Sequence, residues 1–574
     1  MSALRVAHGG RAPLGALADD GLDVLVLDGS TLLDERRDEA IATAVGRGVV
    51  VVVRVDEPAA GADAVRALLA ARHLDATVAH VEGDDLVPRL SEVRPFLGPL
   101  PAAPSRARAE LGAWGIVEAL DRGARVVVVG DVSPASVVVG PAAWHHGWTR
   151  QDWDELAGAV VAGQLLTGGT GCTGANYPFL AEVPETGEPG PPVVEVHADG
   201  SSVVTKRAGT GGVVTTGTVI AQLLDGGRGL EHADPDATVR RNSVRVEQEG
   251  PDRVRVHSVR GLPGPETAVV ALEAPGGHRN TVTAVLTGVN LDAKADRVQD
   301  ALWGHVPGGA SAFGSVVVQL RPLDGVQAEL RVTVTGAEAD TVGAAFRGAA
   351  GRAAESCPGV FVLPAADGPS PFALAWPSTV PTDQVQHVAV VGDERVAIAP
   401  APTKPPALQR RMPAVPVREP SARKVAPTVS THPETISTLL EDLNRRRLTA
   451  GAADDDSVHW DSLPMANVPL GRLAGARSGT AGADATIGVW VPDEDAYDWL
   501  QWYLSIDRFQ GLLPADLEGL ELERFELPNV NALSFVILDL LPHGAAASAR
   551  IDPTARSLGE FVRAQVVDIP AELL

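Results

Sequence analysis

Short runs of β-branched residues alternate with amphipathic stretches over the first third of the chain. Residues 24–27, 49–55, 77–81 and 125–129 read as strands, and 31–46, 60–72 and 106–122 as helices. Uninterrupted valine runs mark strands covered on both faces, so the pattern predicts an α/β unit, a parallel sheet with helices on both faces. Thr149 and Asp152 have capping-box spacing, and Trp153, Leu156, Val160, Val161 and Leu165 recur at helical period until Gly168 and Gly169. From 193 the pattern turns antiparallel. Residues 193–197 and 202–206 flank Asp199-Gly200, the dipeptide of a tight hairpin, and strands at 243–248 and 253–259 follow. Residues 280–364 run strand (281–287), helix (291–304), strand (315–321), strand (327–334), helix (339–355), strand (359–363), which is the order of the split ferredoxin-like β-α-β module.

A proline-rich span at 397–430 reads as an extended linker, and a charged helix at 433–447 with the acidic run Asp454 to Asp456 completes the tether. Strands at 486–491, 521–527, 533–540 and 547–552, with helices near 493–505 and 557–565, make a small terminal α+β unit. The expected division is 1–165 (parallel α/β), 166–396 (α+β with glycine-rich loops and the module), 397–465 (linker and helix) and 466–574 (terminal domain).

Composition narrows the function classes. A formal charge of −25 over 574 residues opposes nucleic acid and anionic membrane as partners, because counterion release needs a basic stripe. Cys172 and Cys357 lie too far apart in sequence to suggest a disulfide framework or a metal knuckle, so a reducing cytoplasm is expected. No apolar run approaches the roughly 20 residues that span a bilayer.

The chemistry concentrates between Gly130 and Gly212, where glycine, hydroxyl and amide residues sit at every turn. Lys206 and Arg207 precede the loop Gly209, Thr210, Gly211, Gly212, which leads into a helix through Val219 and Leu224. Such a turn offers free N–H groups to an anion, or is simply a tight turn with basic neighbours. Its spacing is neither a P-loop nor a dinucleotide fingerprint, so no cofactor is named. In the segment 170–177, Asn176 and Thr173 can donate to an oxyanion, and Cys172 is either a nucleophile or a buried thiol. Asp28, Asp56, Glu82 and Asp131 end the predicted strands, as helix caps and loop acids or as ligands of a divalent ion. His145 and His146 lack a zincin spacing and read as part of an aromatic corner with Trp144 and Trp148 in an extended segment; no metal site is assigned.

The runs VVVVGDVSPASVVVGPAAWHHGW, DWDELAGAVVAGQLL, EVHADGSSVVTKRAGTGG and TVIAQLL resemble the AtuA-type acyclic terpene utilisation family. VPLGRLAGARSG, ATIGVW, FELPNVNALSFVI and SARIDPTARSLGEF resemble the ferredoxin-fold module fused at that family's C-terminus. The chain departs from the family pattern at several places. Asp131 and Pro134 stand where arginine and aspartate are usual, and Gln164, Thr167 and Gly168 where histidine, glutamate and cysteine are. Thr480 and Ala481, after a candidate loop of Arg477, Ser478 and Gly479, replace aspartate and lysine, Arg556 replaces a lysine, and the glycine-rich opening is reduced to His8-Gly9-Gly10.

The resemblance implies a catabolic-type enzyme for a carboxylate or acyl-CoA-like anion, with hydratase or lyase chemistry. Lys206, Arg207 and the 209–212 amides would hold the anionic end, Asn176 and Thr173 would face the carbonyl, and Asp131 would act as general base. The replaced charges favour a rival, a catalytically degenerate scaffold or partner-binding protein, and a mononucleotide-binding regulator is a third reading. Sheet edges in the two α+β modules suggest a homo-oligomer.

Overall fold

The computed structural model describes residues 2–9, 21–28, 35–98, 100, 102–184, 187–364, 368–400, 460, 463–513 and 517–574. The expected linker from 401 on, the helix at 433–447, the acids at 454–456, Gly10 and the start of the helix at 31–46 lie outside these residues.

The valine runs do form parallel strands. β1 (Leu4–His8), β2 (Val24–Asp28), β3 (Val50–Arg54), β6 (Val126–Val129) and β4 (Val78–Glu82) lie side by side in that order. α1 (Glu35–Gly46) and α2 (Pro58–Ala71) cover one face, packing on Leu25, Leu27, Val51 and Val53. α4 (Trp114–Asp121), α5 (Ser136–His146) and α6 (Trp153–Thr167) cover the other, on Val24, Val26, Val50 and Val52, while α3 (Leu90–Val93) is a single turn.

The sheet does not stop there. Antiparallel strands β7 (Pro192–Val196), β8 (Ser202–Lys206), β12 (Arg253–His257) and β11 (Arg245–Gly250) extend it beyond β1, and β19 (Val388–Val391) and β20 (Glu394–Ala397) extend it beyond β4, giving eleven strands that run across residue 165. The β7–β8 hairpin turns at Asp199-Gly200 as expected, with Gly200 at φ 75°.

Two expected elements of the first 150 residues change. Residues 106–109 are not helical: Arg106–Ala109 is strand β5, whose period of two buries Ala107 and Ala109 and turns Arg106 and Arg108 to carboxylates. His145 and His146 are not extended; they end α5, where Gly147 (φ 72°) caps the helix, His146 stacks on Trp148 and its Nε2 meets the Val196 carbonyl.

α6 is apolar nearly all round, the mark of a helix buried on every side. It is wedged between the main sheet, α5 and a small sheet of β9 (Glu231–His232), β10 (Ala237–Arg240) and β13 (Arg260–Pro263). Glycines permit this closeness. A Cβ on Gly158 would lie 2.0 Å from the Gly200 carbonyl oxygen, and one on Gly261 1.9 Å from the Trp153 carbonyl oxygen.

The internal module is ferredoxin-like: β14 (Thr267–Thr287), α8 (Leu291–Gly304), β15 (Ser315–Asp324), β16 (Gln327–Gly336), α9 (Phe346–Ala354) and β17 (Val360–Val362), with strand order β15-β16-β14-β17. β14 is longer than the hydrophobic run suggests, because its first half also pairs with β5 and β18 (Ser370–Pro381). The terminal domain places β22 (Gly475–Ala481), β23 (Asp484–Trp490), β25 (Ala532–Ile537) and β24 (Leu522–Leu527) in one antiparallel sheet, beside a ribbon of β21 (Met465–Pro469) and β26 (Val566–Pro570). α10 (Glu494–Tyr503), α11 (Ile506–Leu512) and α12 (Leu558–Ala564) pack around a core of Trp499, Phe509 and Phe535. The expected strand at 547–552 is instead a loop, folded around the Asp552 carboxylate, which accepts from Thr554 and Ser557.

Gly158→Val drives a branched side chain into the Gly200 backbone. It is expected to cost about 3 kcal/mol or more, read as an earlier first unfolding transition in denaturant; an unmoved transition would show that α6 and the hairpin are not in close contact.

Candidate functional site

The chain leaves β3 for α2 on one face and leaves the neighbouring β6 for α5 on the other. Adjacent parallel strands whose loops part in this way open a crevice at their carboxyl ends, where ligands of open α/β sheets bind. A cleft of about 330 Å3 lies there. Arg54 and Pro134 come from the strand ends, Gln164, Thr167 and Gly168 from the last turn of α6, and Gln222 and Leu223 from α7 (Thr216–Leu224). Asp225, Gly226, Gly227, His232 and Arg241 close the far wall. α7 is fixed at its start by a reciprocal capping box between Thr215 and Thr218.

Arg241 sets the electrostatics. Its guanidinium donates to the Gly229 and Leu223 carbonyls at 2.7 and 3.2 Å, and no carboxylate among the described residues pairs with it. Burial lowers its pKa to about 10, so it stays charged at neutral pH. A Cβ on Gly227 would lie 2.1 Å from Arg241 Nη2, which is why that wall is glycine. Burial, helped by the Arg241 charge, brings His232 down to about 4, so its imidazole is neutral at pH 7. Arg54 is already paired with Asp28 (2.9 Å) and Asp225 with Arg477 (2.8 Å).

A second group of carboxyls lies outside the cleft lining, and two of them, Glu110 and Asp236, line a separate pocket with Trp114, Arg150 and His387. Asp234 and Asp236 are buried; Asp234 accepts from Ser133, and Asp236 from the Ala113 amide and the Ser136 hydroxyl, each at 2.9 Å. Burial, with the charge of Asp236 beside it, pushes Asp234 well above the aspartate range; Asp236 is raised by burial against these hydrogen bonds. Burial also raises Glu110, and raises Asp84 despite its ion pair with Arg108. The strand-end acids instead meet cations. Burial works to raise Asp28, but the His8 hydrogen bond and Arg54 charge outweigh it, and the Arg395 and His80 bonds do the same for Glu82. Asp131 pairs with Arg106 at 2.9 Å, and Asp56 lies 3.5 Å from the same arginine.

None of the residues given a catalytic or anion-binding role from sequence lines the cleft. Thr173 is buried, its hydroxyl donating to the Thr170 and Gly190 carbonyls. Asn176 is exposed, in a left-handed conformation at φ 58°. Lys206 is turned into its own loop, donating to the Thr210 carbonyl (2.8 Å) and pairing with Asp252 (3.3 Å). The Arg207 carbonyl accepts from Thr210, Gly209 and Gly212 have positive φ, and Gly211 bridges to the 189–190 segment. The structure thus joins Thr173 to the 209–212 turn, through Gly190 and the Val213 amide, and leaves Asp131 with a separate set of partners. Arg477, Ser478 and Gly479 are not a loop but part of β22 at the domain interface: Arg477 holds Asp225, Ser478 accepts from the Gly559 amide, and Gly479 packs on Asp225. Cys172 is buried, donates to the Leu165 carbonyl, and burial raises its thiol pKa far out of the nucleophilic range.

The model of the acyclic terpene utilisation family protein AtuA matches residues 30–391, and that of the AtuA ferredoxin-like domain matches residues 468–568. The chain belongs to the AtuA family. No curated protein matches it. Four of the positions read from the sequence resemblance as departures, Pro134, Gln164, Thr167 and Gly168, line this cleft together. Arg241, His232, Arg54 and the acids Asp234 and Asp236 lie in no run that carries the resemblance, and Gln222 lies in the run TVIAQLL without having been given a role there. Only the departures gave a signal in the sequence, and they mark the cleft's other wall. No helix among the described residues is long and apolar enough to cross a membrane.

Asp234 holds its proton above the 3.8 of an ordinary aspartate. From about pH 4 upward the unfolded chain therefore releases a proton that the folded chain keeps, and stability falls as pH rises through that window. Asp234→Asn removes this loss. Relative to the parent it is expected to gain stability in denaturant at pH 7 and to lose the gain toward pH 4; a pH-independent difference would mean that Asp234 is ionised in the fold.

Proposed function

We propose that this AtuA-family chain handles a small carboxylate or acyl compound in the switch-point cleft, with Arg241 on the anionic group. The observation that carries the reading is a half-buried guanidinium whose partners among the described residues are carbonyls, facing an open cleft. A cation removed from water without a counter-ion is costly, and an anionic guest restores the balance. The anion-holding role first given to Lys206 and Arg207 thereby passes to Arg241. In the enzymatic form of the proposal the reaction is of hydration or lyase type, and neutral His232 exchanges the proton at the bound substrate.

A second reading has its own support. The four replaced family positions lie in this cleft, and uncharged groups now stand where the family has ionisable ones, which favours a member that binds without turnover. Calorimetry with a panel of short carboxylates and acyl-CoA esters, followed by product analysis, separates the two: saturable binding with no product selects the binder.

Arg241→Met is expected to weaken carboxylate binding by about 2 kcal/mol, the worth of a hydrogen bond to a charged group, while the far-ultraviolet circular dichroism stays unchanged. Equal affinities in the two proteins would remove Arg241 from the site. Homo-oligomer formation belongs to the same proposal. Among the described residues β15 is an edge strand paired only with β16, with Val317, Leu320 and Leu323 exposed, a surface that can pair with a second copy. Leu320→Lys is expected to shift the mass distribution toward monomer in mass photometry; a parent that is already monomeric at micromolar concentration would refute this part.

A further inference from the structure

Three features of the cleft narrow its ligand, given the carboxylate reading above. The first is charge. Arg54 is matched by Asp28 and Asp225 by Arg477, so Arg241 leaves a single surplus positive charge on the walls. A coenzyme A thioester brings several phosphate charges, and no arginine or lysine other than Arg54 and Arg241 lines the cleft to receive them. One surplus charge fits one carboxylate.

The second is polarity. Pro134 and Leu223 are the apolar side chains of the lining, and the remainder is amide, hydroxyl, imidazole, charged group or glycine. A long hydrocarbon chain would strip water from these polar groups without giving them hydrogen bonds, at a cost for each. A short guest avoids it.

The third is hydrogen-bonding capacity left open. Among the described residues no protein group bonds the carboxamides of Gln164 and Gln222 or the imidazole of His232; Gln222 Oε1 is enclosed on the side of Gly171, and its Nε2 is not enclosed. Space for the Gln222 amide is made by Gly168 and Gly171, where an added Cβ would stand 2.4 Å from it. A hydroxyl on the guest both donates and accepts, and so can accept from the Gln222 Nε2–H and serve the Gln164 carboxamide and a neutral imidazole.

We propose that the cleft selects a short hydroxy carboxylate carrying one negative charge, held by Arg241 at the carboxylate and by Gln222, Gln164 and His232 at the hydroxyl.

The test is calorimetry of the full chain with lactate, 2-hydroxybutyrate, 3-hydroxybutyrate, butyrate, decanoate and 3-hydroxybutyryl-CoA. At least one hydroxy acid is expected to bind about tenfold tighter than butyrate, decanoate and the thioester, the order of one or two added hydrogen bonds. Gln222→Met is expected to bring that hydroxy acid to the affinity of butyrate and to leave butyrate unchanged. If butyrate equals every hydroxy acid, or the thioester or decanoate binds tightest, the inference fails while the anion cleft stands. If no acid or thioester binds, or Arg241→Met binds all of them like the parent, the reading of the cleft fails as well. Loss of butyrate binding together with the hydroxy acid in Gln222→Met, with circular dichroism unchanged, would also overturn the role given to the hydroxyl.

Discussion

The approach of α6 to its neighbours is the constraint behind the cleft. A helix of ordinary side chains could not lie with Gly158 against the Gly200 backbone on one side and Gly261 against the Trp153 carbonyl on another. The small residues bring α6 close enough to be buried all round, and the closeness fixes where its last turn ends. Gln164 and Thr167 therefore stand over the carboxyl ends of β3 and β6, opposite the wall that carries His232 and Arg241. Gly163 against Ala135 secures the same end of the helix to the start of α5. A looser helix would leave these polar groups without a fixed relation to the strand ends.

The carboxyl edge of the sheet then divides by charge. On the side of β4 and β5, Arg106 and Arg108 answer Asp131, Asp56 and Asp84. Away from the cleft, Asp234 and Asp236 are met by hydroxyls and backbone amides, with the Arg150 charge also acting on Asp236, and burial raises both pKa values against these contacts. Asp236 also joins the first residues of two helices, through the Ala113 amide ahead of α4 and the Ser136 hydroxyl in α5. Its structural value lies in those bonds, and it asks for no positive partner when protonated. That arrangement leaves Arg241 as the cation of the cleft without an acid beside it.

Much of the fold was legible because hydrophobic period and secondary structure agree. The valine runs of β2, β3, β4 and β6, the Asp199-Gly200 hairpin and the β-α-β-β-α-β order are local signals strong enough to survive tertiary packing. β5 escaped because Arg106 to Ala109 is a short alternation directly ahead of a helix, and the pairing that makes it a strand comes from β14, far along the chain. β22 escaped because Gly475 to Ala481 is small and polar, with little intrinsic preference for a strand. The cleft was hidden for a different reason. Residues 54, 134, 164, 222, 232 and 241 meet only once the sheet, α6, α7 and the small sheet are assembled, and no two share a motif. The glycine, threonine and lysine of the 206–212 turn have the composition of an anion cradle, yet the Lys206 ammonium is met by a carbonyl and by Asp252.

The terminal ferredoxin-like domain is part of the same construction. Asn529 donates to the carbonyls of Arg241 and Val244 at 2.9 and 2.8 Å, so the backbone that bears the cleft's guanidinium is held from the other domain. Arg477 neutralises Asp225, Asp484 pairs with Arg228, and Gly488 admits the Leu224 side chain against β23. Were Arg477 absent, Asp225 would face the cleft as an unmatched anion and cancel the surplus charge of Arg241. The electrostatic sign of the cleft is thus a property of both domains together, which gives a physical reason for fusing a compact α+β module to an α/β sheet that already has a crevice of its own.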